Sequence, residues 1–220
     1  MNRKEQNLGD EFRTLDGTAG AETKVQGSRF IERVLPVETK EAAERTVAAL
    51  RKEFHDATHH CYAYRIGTRG DQFRYNDDGE PSGTAGKPIL AAIDKLGLTN
   101  VLLVVIRYFG GTKLGTGGLA RAYAEAAEAA LGRAKVVIQY ETESLIAAFP
   151  HSQTGNVMHV VSKLAVQIVE KQYVESVGTP FPKVPFGSGE VHLTLLVRKS
   201  SVAALKEDLL AATSGNIRVT

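Results

Sequence analysis

Two glycine-rich stretches carry the residue types best suited to chemistry. The second, Arg107 to Arg121, sets Gly110, Gly111, Gly115, Gly117 and Gly118 among three cations, Arg107, Lys113 and Arg121. Glycine costs folding entropy, so such a concentration is expected where the backbone takes positive φ or closely approaches another group. Where this stretch enters a helix, its N–H groups and the Lys113 ammonium can face phosphate oxygens. The spacing is neither Walker A nor a strand-to-helix G-x-G-x-x-G, and the same glycines also suit a tight crossover between a buried strand and a helix. Arg121 has a local alternative partner in Glu125, four residues on. Lys113 has none, and Arg107 follows a long apolar strand, either as a sheet end reaching solvent or as a ligand contact.

The first stretch, Asp77-Asp78-Gly79-Glu80-Pro81-Ser82-Gly83-Thr84-Ala85-Gly86-Lys87-Pro88, is acidic at its start and ends on a cation, Lys87. Asp77, Asp78 and Glu80 offer hard oxygen ligands for Mg²⁺, although the spacing is not that of an EF-hand and a solvated acidic turn is the more common use of such a composition. Ser82 and Thr84 suit a helix cap or an anion contact. His55, His59 and Cys61 are close in sequence, yet they straddle a helix-to-strand change and lack a second Cys, so no metal site is expected. No cofactor is expected either. In a strand, His59, Cys61 and Ala63 share one face and His60, Tyr62 and Tyr64 the other, where the tyrosines could stack bases or pack across strands. The chain carries no nucleophile-elbow, kinase or metalloprotease motif.

The elements that must hold these loops can be read from periodicity. Residues 1 to about 22 are polar and weakly patterned, as in a mobile arm. Lys24 to Val37 reads as one or two strands broken near Gly27, and Thr39 then caps a helix with Ala43, Val47, Leu50 and Phe54 on one face. His59 to Ile66 reads as a strand, and the polar Gly67 to Asp78 returns the chain to the first loop. A helix begins around Pro88 and ends near Gly97. Val101 to Ile106 is apolar without alternation, which predicts a strand buried on both faces at the centre of a sheet. Leu119 to Leu131 predicts an alanine-rich helix stopped at Gly132. From Val136 onward the order is βαββαβ: strand to Phe149, helix His151 to Leu164, strand Ala165 to Val177, strand Glu190 to Arg198, helix Ser201 to Ala212 and a last strand from Ile217. Gly178 to Gly189 serves as the long connection. This order predicts a ferredoxin-like unit.

Formal net charge is only +2 and neither half is strongly basic, so nucleic-acid binding would depend on where cations lie and not on their sum. With 43% hydrophobic residues the chain can bury a core as one large or two small domains. No apolar run approaches the roughly 20 residues of a membrane helix, and a single Cys61 fits a reducing compartment, so a cytoplasmic protein without membrane contact is expected.

The run Asp78-Gly79-Glu80-Pro81-Ser82-Gly83-Thr84-Ala85-Gly86, taken with Arg107-Tyr108-Phe109-Gly110-Gly111-x-Lys113-Leu114-Gly115-x-Gly117-Gly118-Leu119-x-Arg121-Ala122-Tyr123, resembles the signature of the IMPACT family, whose bacterial members include the YigZ proteins. The blocks from Lys24 to Ile31 and from Ala57 to Arg65 support it. The resemblance implies an α+β chain of two domains. Residues 23–134 would form a left-handed βαβ-type sandwich, as in the second domain of a small-subunit ribosomal protein and domain IV of elongation factor G. Residues 135–220 would form the ferredoxin-like domain. Eukaryotic members control translation with an added amino-terminal RWD domain, competing for the activator of a kinase that phosphorylates an initiation factor. About 22 residues precede the first strand here, so that interaction is not expected to carry over. The expected function is non-enzymatic and translation-associated: RNA or the ribosome bound through the basic glycine-rich loop. The alternative is a phosphate- or nucleotide-binding protein or a Mg-dependent enzyme using the same loop. A protein partner on the ferredoxin-like sheet face is a further option.

Overall fold

The computed structural model describes residues 9–174 and 189–220, and its chain divides into two compact units. One spans Glu11–Gln139, and the other takes in Asp10 and Tyr140–Thr220. The architecture is α+β in both. The expected connection from Gly178 lies almost wholly outside the described residues, as do residues 1–8 and the end of the strand expected to reach Val177.

The first unit runs β1 (Glu11–Leu15), β2 (Ala19–Val25), β3 (Ser28–Pro36), α1 (Lys40–Glu53), β4 (His59–Ile66), β5 (Gln72–Asn76), α2 (Gly86–Lys95), β6 (Val101–Tyr108), α3 (Gly115–Leu131) and β7 (Val136–Tyr140). Five strands form one sheet in the order β2-β3-β6-β4-β5, while β1 pairs with β7. Strands β3 and β4 flank β6 and are antiparallel to it, so they run the same way with α1 connecting them. The non-alternating run in β6 has the predicted cause. Val101, Leu103 and Val105 meet α2 and α3 on one face of the sheet, and Leu102, Val104 and Ile106 meet α1 on the other. Thr39 caps α1 through Oγ1, which accepts from the Ala42 N–H at 3.1 Å.

Three differences from the sequence reading stand out. Residues 11–22, read as part of a mobile arm, form β1 and the first half of β2, with Phe12, Thr14 and Leu15 buried. These strands pair with β7 and β3, and β7 in particular is so distant in sequence that no local pattern announces it. The span from Val136 to Phe149 is two strands rather than one, because the chain leaves β1 and enters a different sheet near Glu141. The boundary between units therefore falls after Gln139 rather than after residue 134. Tyr62 and Tyr64, for which packing was the more common of the two expected uses, do pack, buried beneath α1 with no face open to a base.

The second unit contains β8 (Thr142–Pro150), a 3-10 turn, α4 (Thr154–Lys163), β9 (Gln167–Val174), β10 (Glu190–Arg198), α5 (Val202–Ala212) and β11 (Arg218–Val219). Its strands pair antiparallel in the order β11-β8-β10-β9, the interleaving expected of a ferredoxin-like βαββαβ unit. Leu145, Ala147 and Phe149 alternate into its core with Val191, Leu193, Leu195 and Val197, beneath both helices. Among the described residues no helix is long and apolar enough to cross a membrane.

The division into units makes a testable statement about β1 and β7. A fragment of residues 9–139 is expected to unfold cooperatively, followed by circular dichroism against urea. A fragment of residues 23–134, which lacks β1, β7 and half of β2, should be markedly less stable; equal midpoints would show that these strands add nothing.

Candidate functional site

The two glycine-rich stretches meet. Arg107, at the end of β6, is 4% exposed, and Glu80, in the loop before α2, is 8% exposed. Arg107 Nη1 donates to Glu80 Oε1 at 2.6 Å, and the Tyr123 hydroxyl from α3 donates to the same oxygen at 2.8 Å. Arg107 Nη2 donates to Ser28 Oγ at 3.1 Å, which also accepts the Gly110 N–H at 3.2 Å. The guanidinium thus ties together the start of β3, both loops and α3. Arg107 is an internal tie and not the exposed phosphate contact expected of it. Gly110 is equally internal in purpose: a Cβ there would sit 1.9 Å from the carbonyl carbon of Gly27, so only glycine allows the two turns to touch.

Each carboxylate of the acidic stretch is engaged. Asp77 Oδ1 accepts the N–H groups of Ala85 at 3.0 Å and Gly86 at 2.8 Å, and its Oδ2 accepts that of Gly83 at 2.9 Å. Asp77 therefore caps α2 from well upstream, a role the sequence reading gave to Ser82 or Thr84. Thr84 is buried and donates to the Pro81 carbonyl at 2.6 Å, whereas Ser82 and Lys87 are exposed. Asp78 forms an ion pair with Arg51 and accepts the His60 N–H at 2.6 Å. With Glu80 held by Arg107 and Tyr123, the three carboxylates suggested for Mg²⁺ serve the fold instead. Among the described residues no group of three or more His, Cys, Asp or Glu is arranged to hold a metal.

Two further side chains beneath the loops are held in their neutral forms. Burial pushes the Cys61 thiol far up, against the hydrogen bond to Tyr123, so it is no nucleophile at neutral pH. Burial, followed by Cys61 and Glu80, pushes the Tyr123 phenol up in the same way and keeps it a donor. His59 stands nearby, with Nδ1 2.8 Å from the Asp78 carbonyl and Nε2 3.7 Å from Glu80 Oε1. His60 lies on the opposite face, with Nε2 3.1 Å from the Phe54 carbonyl at the end of α1. Its burial lowers the imidazole's affinity for a proton, outweighing the Phe54 carbonyl.

The start of α3 contrasts with that of α2. The helix begins at Gly115, four residues before the predicted Leu119, and its N-cap Leu114 offers no side-chain acceptor. Gly111 and Gly115 have φ of +85° and +69°, the left-handed region that glycine enters without strain. Gly117 has neither reason, since a Cβ there would meet nothing nearer than Arg121 Nη1 at 3.7 Å. An exposed glycine in the first turn costs helix stability of about 1 kcal/mol relative to alanine. Around this turn Thr112, Lys113, Thr116 and Arg121 are exposed. Arg121 lies back toward Gly117, and no ion pair joins it to Glu125. Gly118 is half-buried against Leu114. Phe109, 49% exposed, projects from the same loop, with the Arg107 guanidinium 5.7 Å from its ring centre.

Lys113, Gly115, Gly117 and Arg121 are thus brought to one open, cationic helix start. Arg107, Gly110, Asp78, Glu80 and Thr84 form the frame behind it. Tyr123 and Ser28, both essential to that frame, were not singled out by sequence; each stands inside a motif block, where its polar group was the available signal.

Both glycine loops and the Glu80–Arg107 tie of this two-unit α+β fold lie within one stretch that a family model matches. Residues 26–131 match the family model described as the Impact N-terminal domain. A relative from Haemophilus influenzae described as an IMPACT family member is 33% identical over 198 residues, covering 89% of each chain. Another from Thermus thermophilus is 38% identical over 75% of this chain and 89% of its own. A crystal structure described as a hypothetical protein superposes with a TM-score of 0.68 at 27% identity, covering 96% of this chain and 97% of that one. The chain belongs to the IMPACT family.

Two predictions test the frame. Glu80→Ala leaves the Arg107 charge buried without its partner and is expected to cost about 3–5 kcal/mol of stability in urea melts, against about 1–2 kcal/mol for Tyr123→Phe. Equal small losses would show that the pair is not structural. Because the folded state resists protonating His60, the unfolded state takes the proton first as pH falls below the ordinary histidine value of about 6.5. Stability is expected to decline from there downward, and His60→Gln should flatten that decline in melts followed between neutral and mildly acidic pH.

Proposed function

We propose that this chain is a non-enzymatic, translation-associated protein of the cytoplasm that binds RNA, free or on the ribosome, through the amino-terminal turn of α3. One observation carries the reading. Of two neighbouring helix starts, α2 is capped by Asp77, whereas α3 is left without a side-chain cap, built of glycine and flanked by Lys113 and Arg121. Open N–H groups at the positive end of a helix dipole favour an anion, and Gly117 lets a phosphate approach the backbone without meeting a side chain. The Glu80–Arg107 tie supports the surface from behind. Family membership agrees, because eukaryotic members regulate translation. The Mg-dependent alternative finds less support, as Asp77, Asp78 and Glu80 are all engaged within the fold.

Lys113→Ala/Arg121→Ala should weaken RNA binding and reduce the slope of log K against log salt by roughly 1.4 for two lost phosphate contacts. Fluorescence anisotropy with a labelled RNA across a salt series reads both quantities. Gly117→Ala is expected to move two properties in opposite directions, raising stability by about 0.5–1 kcal/mol while weakening binding. Unchanged affinity and slope in the double variant would remove α3 as the contact.

A further inference from the structure

We infer that the edge of the five-stranded sheet holds a second, separate anion site, a groove at Gly20 that takes a phosphate-class dianion between Arg33 and Arg133. The groove encloses about 440 Å³ between edge strand β2, the α1-side face of β3 and Phe54. Its charges are unbalanced. Glu22 is its one acidic lining residue, and it is paired with Arg29 at 2.9 Å. Among the described residues, Arg33 Nη1 donates only to the Glu32 backbone carbonyl at 3.0 Å, and Arg133 Nη1 only to the Gly20 carbonyl at a long 3.4 Å. Two guanidinium groups therefore converge on one residue with no carboxylate of the described residues ion-paired to either, Glu22 acting on Arg33 only through space.

Gly20 makes this convergence possible. A Cβ there would stand 2.8 Å from the Glu32 carbonyl oxygen and 3.0 Å from Arg33 Nη1, so any larger residue would displace the Arg33 head. Phe54 holds the same guanidinium from another side, 5.7 Å from its ring centre, which favours a fixed orientation. Glu32 feels the Arg133 charge through space, yet among the described residues it forms no ion pair with either arginine, and its Oε2 has no hydrogen-bond partner. Its side chain is wholly buried, alternation places it on the opposite face with Phe30 and Val34, and burial pushes its carboxyl up against the Thr23 hydrogen bond. Like charges held together repel, and a compact dianion with several acceptor oxygens relieves that repulsion while matching the forked N–H geometry of arginine.

The test is a calorimetric titration of the whole chain with inorganic phosphate at constant ionic strength, alongside Arg33→Gln/Arg133→Gln and Lys113→Ala. Saturable heat that falls at least about tenfold in affinity in the arginine variant and persists in Lys113→Ala supports the groove. No heat in the unaltered chain, or heat that survives in the arginine variant, overturns it. Heat lost in Lys113→Ala alone also overturns it and assigns phosphate to α3. A nucleoside monophosphate that competes with inorganic phosphate identifies a free phosphomonoester as the source; displacement only by RNA lacking a terminal phosphate overturns the dianion. Arg133 is exposed, so Arg133→Gln alone serves if the double variant melts early.

Discussion

The buried ion pair between Glu80 and Arg107 is the constraint on which the site depends. Removing two charges from water costs several kcal/mol per ion, and their attraction offsets this only when remaining donors and acceptors are met. Ser28 and Tyr123 each meet one of them, while among the described residues Arg107 Nε has no hydrogen-bond partner. Each partner comes from a different segment, so the pair is satisfied only when β3, β6, α3 and the acidic loop are all in place. A pair of modest net worth can in this way specify one arrangement of loops that have little apolar surface of their own.

That frame explains the unequal treatment of two helix starts. The acidic loop folds back so that Asp77 reaches three N–H groups around the beginning of α2, and a helix end so satisfied has little left for a ligand. The loop after β6 is pinned at Gly110 against Gly27, and beyond it the chain enters α3 through glycines with the N–H groups uncovered. Local stability is lower than alanine would give it. The compensation comes from behind, where Leu119, Ala122, Tyr123, Ala126 and Ala127 bury one face of α3 on the sheet. A strongly packed helix can carry a weak first turn, which is how the fold keeps a glycine-built surface ordered.

The same economy of position appears in the sheet. Strand β6 is buried on both faces and ends in Arg107, so a single strand supplies the centre of the core and the cation of the tie. Strand β2, by contrast, lies at the edge, where Gly20 and two arginines with no ion pair among the described residues leave a polar groove instead of a packed face.

Much was legible in the amino-acid order because the relevant forces are local or periodic. The unbroken apolar run of β6, the Thr39 cap of α1 and the βαββαβ order of the second unit follow from patterns of a few residues. The two motif blocks were also legible as a family signature. What sequence could not assign was the partner of each charge. Arg107 and Glu80 are 27 residues apart, and Ser28 is 79 from Arg107, so no spacing rule links them. Arg107 therefore read as a sheet end or a ligand contact, Asp77 and Glu80 as a solvated turn or metal ligands, and residues 11–22 as an arm. Sequence determined which segments become helix and strand, through periodicity, caps and glycine. Only the tertiary structure decided which charges are buried ties and which remain open to a ligand, because burial and pairing depend on contacts between segments far apart along the chain.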